Sequence, residues 1–270
     1  MPECSPLDHQ TAQHLFHTLE RTHALVAAFF EGNATARLFV DTPAGPQAGM
    51  IVCNSRVLCA GDASQNAFID EMERLFSTEL IPAHTARGND AYLVYWSGDG
   101  WDSAVQRLFP AHTLYHGTRQ YYETTDLMVN TGLQLPDGFS MQLITSEFMA
   151  SDIKGLDAVR EEMRSERASV EDFLARSFGI CPVYENEIAG WCMSEYNVGT
   201  RCEIGIATAS DHQRKGIATL ATSHFLAEAR RRGYTQVGWD CWTRNEASSA
   251  TARKAGFTLI EEYPAIVVEL

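Results

Sequence analysis

Apolar positions in this chain repeat at two spacings, and the switch between them lays out the elements. Across residues 7–30, Leu15, Leu19, Leu25, Val26 and Phe29 recur at helical spacing. Residues 37–41, 48–52 and 56–60 read as short strands, and Pro43-Ala44-Gly45-Pro46 turns the chain after the first. Ser64 is placed to cap a helix to Phe76, whose inner face carries Phe68, Met72, Leu75 and Phe76. A buried strand at 91–96, a helix from Trp101 halted by Pro110, and a tyrosine-rich strand at 113–123 follow.

The polar stretch 130–138, with Pro136 in it, reads as a linker and divides a domain 1–135 from a domain 136–270. A strand opens the second domain at 140–145. Residues 151–178 are largely helical, with a break near Arg167-Ala168. Strands at 181–184, 188–195 and 202–208 are joined by turns at Glu185-Asn186-Glu187 and Asn197-Val198-Gly199. An amphipathic helix reaching Arg232 carries Ile217, Leu220, Ala221 and Phe225 on one face. A strand at 236–242, a helix at 247–255 and a strand at 260–270 end the chain. From Arg56 the first half reads strand, helix, strand, helix, strand, and the chain from Cys202 repeats that order. The repetition fits a degenerate internal duplication, and it also fits the ordinary alternation of an α/β protein.

Composition narrows the class. A chain of 270 residues, 45% apolar and 21% charged, is a soluble globular protein of one large or two modest domains. The apolar run from Ala24 to Phe30 is too short to span a bilayer, and no basic leader precedes an apolar segment. The expectation is a cytoplasmic protein with no membrane association. Seven cysteines without a CxxC, and nine histidines without an HxxxH or HExxH, predict buried thiols and no metal. The formal net charge of −14 argues against nucleic-acid binding and suits a cationic substrate. Between Arg201 and Lys254 the balance reverses, with nine Lys/Arg against five acids. Arg230-Arg231-Arg232 answer the dipole of a helix C-terminus. A basic island of this kind asks for an anion, although a solvated basic helix end would give a similar count.

The sequence offers a place for one. Gln213-Arg214-Lys215-Gly216-Ile217-Ala218 has the form Q/R-x-x-G-x-G/A between a strand and an amphipathic helix. A diphosphate must approach successive backbone N–H groups at the helix start, so side chains there are small or absent. Downstream stand Trp239-Asp240-Cys241-Trp242-Thr243-Arg244-Asn245, Ser248 and Lys254-Ala255-Gly256-Phe257. In these segments the sequence resembles the GCN5-related N-acetyltransferase superfamily over residues 139–270. The wording Trp-x-Cys-x-x-x-Asn-x-x-Ser is similar to the branch of zwittermicin A resistance acetyltransferases.

The resemblance implies an α/β (α+β) fold: a C-terminal acetyltransferase domain with a mixed, mostly antiparallel sheet flanked by helices. The N-terminal α/β domain would be a degenerate repeat of it. Acetyl-CoA is the implied cosubstrate. Ile206, Ala207 and Thr208 would pair with its pantetheine arm and polarise the thioester carbonyl. Gln213, Arg214, Lys215, Gly216, Ile217, Ala218 and Thr219 would hold its diphosphate. Asn245 would contact the departing arm, with Ser248 beside it, although Asn245 also reads as an N-cap bonding to Ser248. Because Asp62-Ala63-Ser64-Gln65 stands in the corresponding loop of the first half, only the second half would bind the cosubstrate.

Glu203 is the candidate general base, since an ammonium nucleophile must lose a proton before it attacks; the alternative is a strand glutamate paired with Arg201. The family's usual tyrosine acid, four residues before Gly256, is replaced by Ala252. Ser248, Ser249, Cys241, Tyr263 or water would then protonate the thiolate. Trp191, Tyr196, Trp239 and Trp242 are either core residues or the lining of a cation pocket. The resulting expectation is direct acetyl transfer to a primary amine of a small cationic molecule in a ternary complex. A CoA-binding sensor and a protein lysine or N-terminal acetyltransferase are the rival readings, and a homodimer is compatible with any of them.

Overall fold

The computed structural model describes residues 3–5, 9–128 and 132–270. Helices α1 (His9–Ala12), α2 (His17–Thr22) and α3 (Ala24–Phe30) precede strands β1 (Arg37–Val40), β2 (Ala48–Cys53) and β3 (Arg56–Gly61). Next come α4 (Asn66–Leu75), α5 (Ile81–Thr85), β4 (Ala91–Trp96), α6 (Trp101–Leu108) and β5 (Thr113–Thr124). Strand β6 (Phe139–Leu143) is followed by α7 (Ser146–Met149), α8 (Leu156–Glu166) and α9 (Val170–Arg176). Strands β7 (Gly179–Tyr184), β8 (Glu187–Ile188), β9 (Gly190–Val198) and β10 (Arg201–Thr208) then run consecutively. The chain closes with α10 (Ile217–Arg231), β11 (Gln236–Trp242), α11 (Glu246–Lys254) and β12 (Thr258–Glu269). Two compact units divide these elements: Met1–Arg119 with Glu262–Leu270, and Gln120–Glu261.

In the first unit the strand order is β1-β2-β3-β4-β12-β5. The first three strands are antiparallel, β3 and β4 are parallel around α4, and β12 lies antiparallel to β4 with Ile266 opposite Val94. Phe68, Ile69 and Met72 of α4 and Trp101, Val105 and Leu108 of α6 bury their apolar stripe on Met50, Val57, Cys59 and Val94. Two local expectations fail here. The helix expected across 7–30 is broken at His23, which is extended (φ −133°, ψ 98°). Its buried ring packs on Tyr95 and Tyr263 at 4.3 and 5.3 Å, and that packing overrides the helical period. Leu7, the expected start, lies outside the described residues. Ser64 does not cap α4: its own N–H donates to Asp62 Oδ1 at 2.9 Å, an Asx-type turn that delays the helix to Asn66.

In the second unit the order is β5-β11-β10-β9-β7-β6, with β8 on β7. Only β10 and β11 among the registered pairs are parallel, because α10 crosses between them. Helices cover both faces of this sheet. Phe225, Leu226 and Ala229 of α10 and Ala252 of α11 pack on Cys202, Ile204, Val237 and Trp239. Leu156, Val159 and Met163 of α8 and Phe173 of α9 pack on Cys181, Val183 and Met193. The helical break expected near Arg167-Ala168 is present: Arg167 leaves α8 in extended conformation, and Ser169 caps α9 by accepting from Asp172 N at 3.1 Å. Glu185 and Asn186 both take positive φ (45° and 68°) and close the two-residue hairpin β7–β8. The turn expected at 197–199 falls later, since β9 runs to Val198 and Gly199 carries φ 52°. Asn130, where the expected linker begins, lies outside the described residues.

The two units share the order expected from the repeated pattern: β3-α4-β4-α6-β5 and β10-α10-β11-α11-β12, each with a parallel first pair. All seven cysteines are buried. Among the described residues no helix is long and apolar enough to cross a membrane.

Candidate active site

The basic, glycine-bearing stretch lies where β10 meets β11. Their parallel register runs from Arg201↔Gln236 to Ile204↔Trp239, while β10 continues to Thr208 and β11 to Trp242. On its other edge β10 stays paired with β9 as far as Thr208↔Gly190. The two parallel strands therefore part after Ile204. Within the described register, the β11-facing backbone groups of Gly205 to Thr208 take no ladder partner, so Ile206, Ala207 and Thr208, all half-buried, line one side of the opening.

A β-bulge prepares this divergence. Cys202 pairs with Asn197 and Ile204 with Ser194, so Glu203 faces both Glu195 and Tyr196 of β9. Beyond Thr208 the chain makes a short turn at Ser210–His212, and Gln213 Nε2 donates to Thr208 O at 3.2 Å. Arg214 (φ 60°) and Gly216 (φ 79°) are left-handed, which bends the loop into the start of α10. Gly216 is the N-cap and, having no side chain, offers no cap bond. The first intrahelical acceptor for which the turn closes is Gly216 O, bonded by Leu220 N at 3.0 Å. Helix geometry leaves the amides of Ile217, Ala218 and Thr219 without intrahelical acceptors. Gln213, Arg214 and Lys215 are exposed beside them. The side chains of Ile217 and Thr219 are buried, so those two residues offer only backbone.

The corresponding loop of the first unit is built differently. Asp62 accepts from Ser64 N and from Gln65 Nε2 (2.8 Å), and hydrogen bonds from the Ser64 side chain, the Ser64 backbone and Gln65, in that order, hold its carboxyl below the usual range. A fixed carboxylate thus stands where the second unit has Arg214 and Lys215.

On the α8 side of the sheet in the second unit, polar groups converge. Glu203 is 8% exposed and accepts from Arg201 Nη2 at 2.7 Å. Burial pushes the Arg201 guanidinium down, but the charge and hydrogen bond of Glu203, with Tyr121 and Glu123, together outweigh it, and its pKa lies above the ordinary value. Tyr121, from β5, lies across Gly238 of β11: a Cβ added there would come within 2.5 Å of Tyr121 Oη and 3.0 Å of Glu203 Cγ. Gly238 faces Glu203 in the parallel register, so the missing side chain is what lets the phenol reach the carboxylate's strand. The Arg201 guanidinium sits 5.6 Å from the Tyr121 ring centroid. One residue along, Glu195 lies over Gly205, where a Cβ would collide with its carboxylate. Glu195 joins Glu162 and Glu166 of α8, each offering a carboxylate oxygen within 4.8 Å of the others.

The remaining sequence-predicted residues fall into place locally. Asn245 Oδ1 accepts from Ser248 N at 3.1 Å and caps α11, and Ser248 Oγ accepts from Trp239 Nε1 at 3.0 Å. Ala252 is fully buried in the apolar core. Ser249 donates to Gln120 at 2.8 Å and lies 3.5 Å from Cys241 Sγ. Tyr263 belongs to the first unit. Trp239 and Tyr196 are core residues, whereas Trp191 and Trp242 are half-buried. Tyr121, Glu162, Glu166 and Glu195 have no motif to mark them in the sequence. They meet through sheet order and the bulge.

A family model described as GNAT acetyltransferase matches residues 13–266. The chain is 24% identical over 227 residues, 84% of this chain and 83% of that protein, to the uncharacterized N-acetyltransferase YdfB of Bacillus subtilis (strain 168). Among solved structures it resembles a GCN5-related N-acetyltransferase-like protein from Streptococcus suis 89/1591 (TM-score 0.72, 17% identity, 97% of this chain and 99% of that one). It also resembles a tandem GNAT protein from the clavulanic acid biosynthesis pathway (TM-score 0.60, 11% identity, 99% and 97%). At these identities the structural likenesses are likenesses of fold.

Proposed function

The chain belongs to the GNAT acetyltransferase family and is an acyltransferase, and from that premise we propose that its second unit moves an acetyl group from acetyl-CoA to a primary amine. The observation that carries the reading is the parting of β10 from β11 after Ile204, directly beside the uncapped start of α10. An extended thiol ester with a diphosphate at its far end has matching chemistry. The amides of Ile217 to Thr219, with Gln213, Arg214 and Lys215, suit the diphosphate. The unladdered groups of Ile206 to Thr208 suit the amide-bearing arm and the developing oxyanion. Asn245 and Ser248, at the start of α11, would supply further contacts. The carboxylate of Asp62 argues that the first unit does not take the same ligand.

In the proposed ternary complex Glu203 removes one proton from the acceptor's ammonium. The freed nitrogen lone pair attacks the thioester carbonyl, the C–S bond breaks, and the thiolate leaves to take up a proton. With Ala252 in the apolar core, that proton comes from solvent or a neighbouring hydroxyl, and the thiolate is a tolerable leaving group near neutral pH. The carboxylates of Glu162, Glu166 and Glu195 and the net charge of −14 favour a small polycationic acceptor, such as an amino sugar, an aminopolyol or a polyamine.

The test is thiol release from acetyl-CoA against a panel of amines, with calorimetric CoA binding alongside. Turnover with a cationic amine and intersecting initial-rate lines are expected. Glu203→Gln is expected to lower kcat by roughly 10²- to 10⁴-fold while retaining CoA binding. CoA binding without turnover on any amine would leave a sensor, and turnover confined to peptides would leave a protein acetyltransferase.

A further inference from the structure

Tyr121 is completely buried beside the Arg201 guanidinium, which can hydrogen-bond to the phenol oxygen only as a donor, and its O–H meets no acceptor among the described residues. Buried donors are almost always paired, and one without an acceptor asks for an explanation such as a ligand or a catalytic role. The geometry around it is specific. Gly238 clears the space that Oη occupies, since a Cβ there would sit 2.5 Å from Oη and 2.9 Å from Cε2. The same point is 3.0 Å from Glu203 Cγ, so hydroxyl and carboxylate side chain converge over one glycine. That glycine is one residue short of the place where β10 and β11 part. Burial, and then the charge of Glu203, push the phenol well above its ordinary pKa, so Tyr121 stays protonated and able to donate.

We propose that Tyr121 is a positioning residue for acyl transfer: in the substrate complex its hydroxyl donates to a water that bridges to Glu203 and carries the acceptor's proton to that carboxylate. The relay is balanced. The ammonium gives one proton to the water, the water gives one to Glu203, and Tyr121 keeps its own. The inference rests on the reading of Glu203 as the base. It adds a residue from β5, away from the glycine-bearing loop and the strands that part beside it.

Tyr121→Phe keeps the ring and removes only the hydroxyl. With the amine that the wild type turns over best, kcat is expected to fall roughly 10- to 100-fold, the cost of a misplaced reacting group. The KM for acetyl-CoA should stay within twofold. A donor near a carboxylate favours its charged form, so the acid limb of the pH profile of kcat/KM should move to higher pH in the variant. Because the O–H has no acceptor in the free protein, the melting temperature should change little. A lower melting temperature with unchanged kinetics would make the hydroxyl structural and overturn the proposal. So would a kcat and an acid limb that both match the wild type. No turnover by the wild type on any amine overturns the acetyl-transfer reading itself, and the role of Tyr121 with it; turnover unaffected by Tyr121→Phe overturns only the latter.

Discussion

Replacing Arg201 by methionine should cost more stability than any surface ion pair could. The Arg201 and Glu203 side chains are 13% and 11% exposed, and their charged atoms are 2.7 Å apart. At an effective dielectric near 20 the gross attraction at that separation is roughly 6 kcal/mol, most of it spent on desolvating the two ions. Removing the guanidinium alone leaves a buried carboxylate whose desolvation is no longer offset, at about 3–5 kcal/mol. Exposed pairs measured the same way give about 0.2–1 kcal/mol. Replacing both residues with methionine removes both charges together, and the double variant should return to within about 1 kcal/mol of the wild type or exceed it. The assay is urea denaturation of the four proteins of the cycle at pH 7.5, with tryptophan fluorescence and a shared m-value as the check on the two-state treatment. A single-variant cost below about 1 kcal/mol, or additive single costs in the double variant, would refute the reasoning, because the pair would then be as well screened as a surface one.

Other outcomes follow from the same geometry. Gly216→Ala puts a Cβ on a residue at φ 79° and 3.3 Å from Leu133 Cδ1. The left-handed strain of about 1–2 kcal/mol should weaken CoA binding roughly tenfold by titration calorimetry, and unchanged affinity would remove the loop from the site. Glu195→Gln should raise the KM of a polycationic amine severalfold and leave that of acetyl-CoA alone; equal effects on both would mean that the bulge, rather than the charge, had been disturbed. His84 is buried and stacked on Tyr92 at 4.1 Å, and burial holds its imidazole below the ordinary pKa of 6.5. The unfolded chain therefore binds a proton there first, so this contribution is full above about pH 6.5 and shrinks as pH falls below it. Between pH 7 and 5 the wild type should lose stability more steeply than His84→Gln, and parallel slopes would contradict the assignment.

Much of the second unit was legible in the residues. Strand β11 and the cap of α11 at Asn245 fall where the pattern places them, because a period of two and an Asn two residues before a small-residue helix are local signals. Local signals also misled. Ser64 looks like a cap until Asp62 takes its N–H, and 7–30 looks like one helix until His23 is seen packed on Tyr95.

The sequence by itself determined the family, the alternation of elements and the glycine-bearing basic loop, since each depends on residues within a few positions of one another. The tertiary structure alone decided which strands are neighbours. It set β5 beside β11, so that Tyr121 lies across Gly238 to Glu203, and it set Glu195 over Gly205 through a bulge. It also sent Glu262–Leu270 back to the first unit, beside β4. Strand order is a bargain among long-range ladders and buried faces, and no window of neighbouring residues contains it.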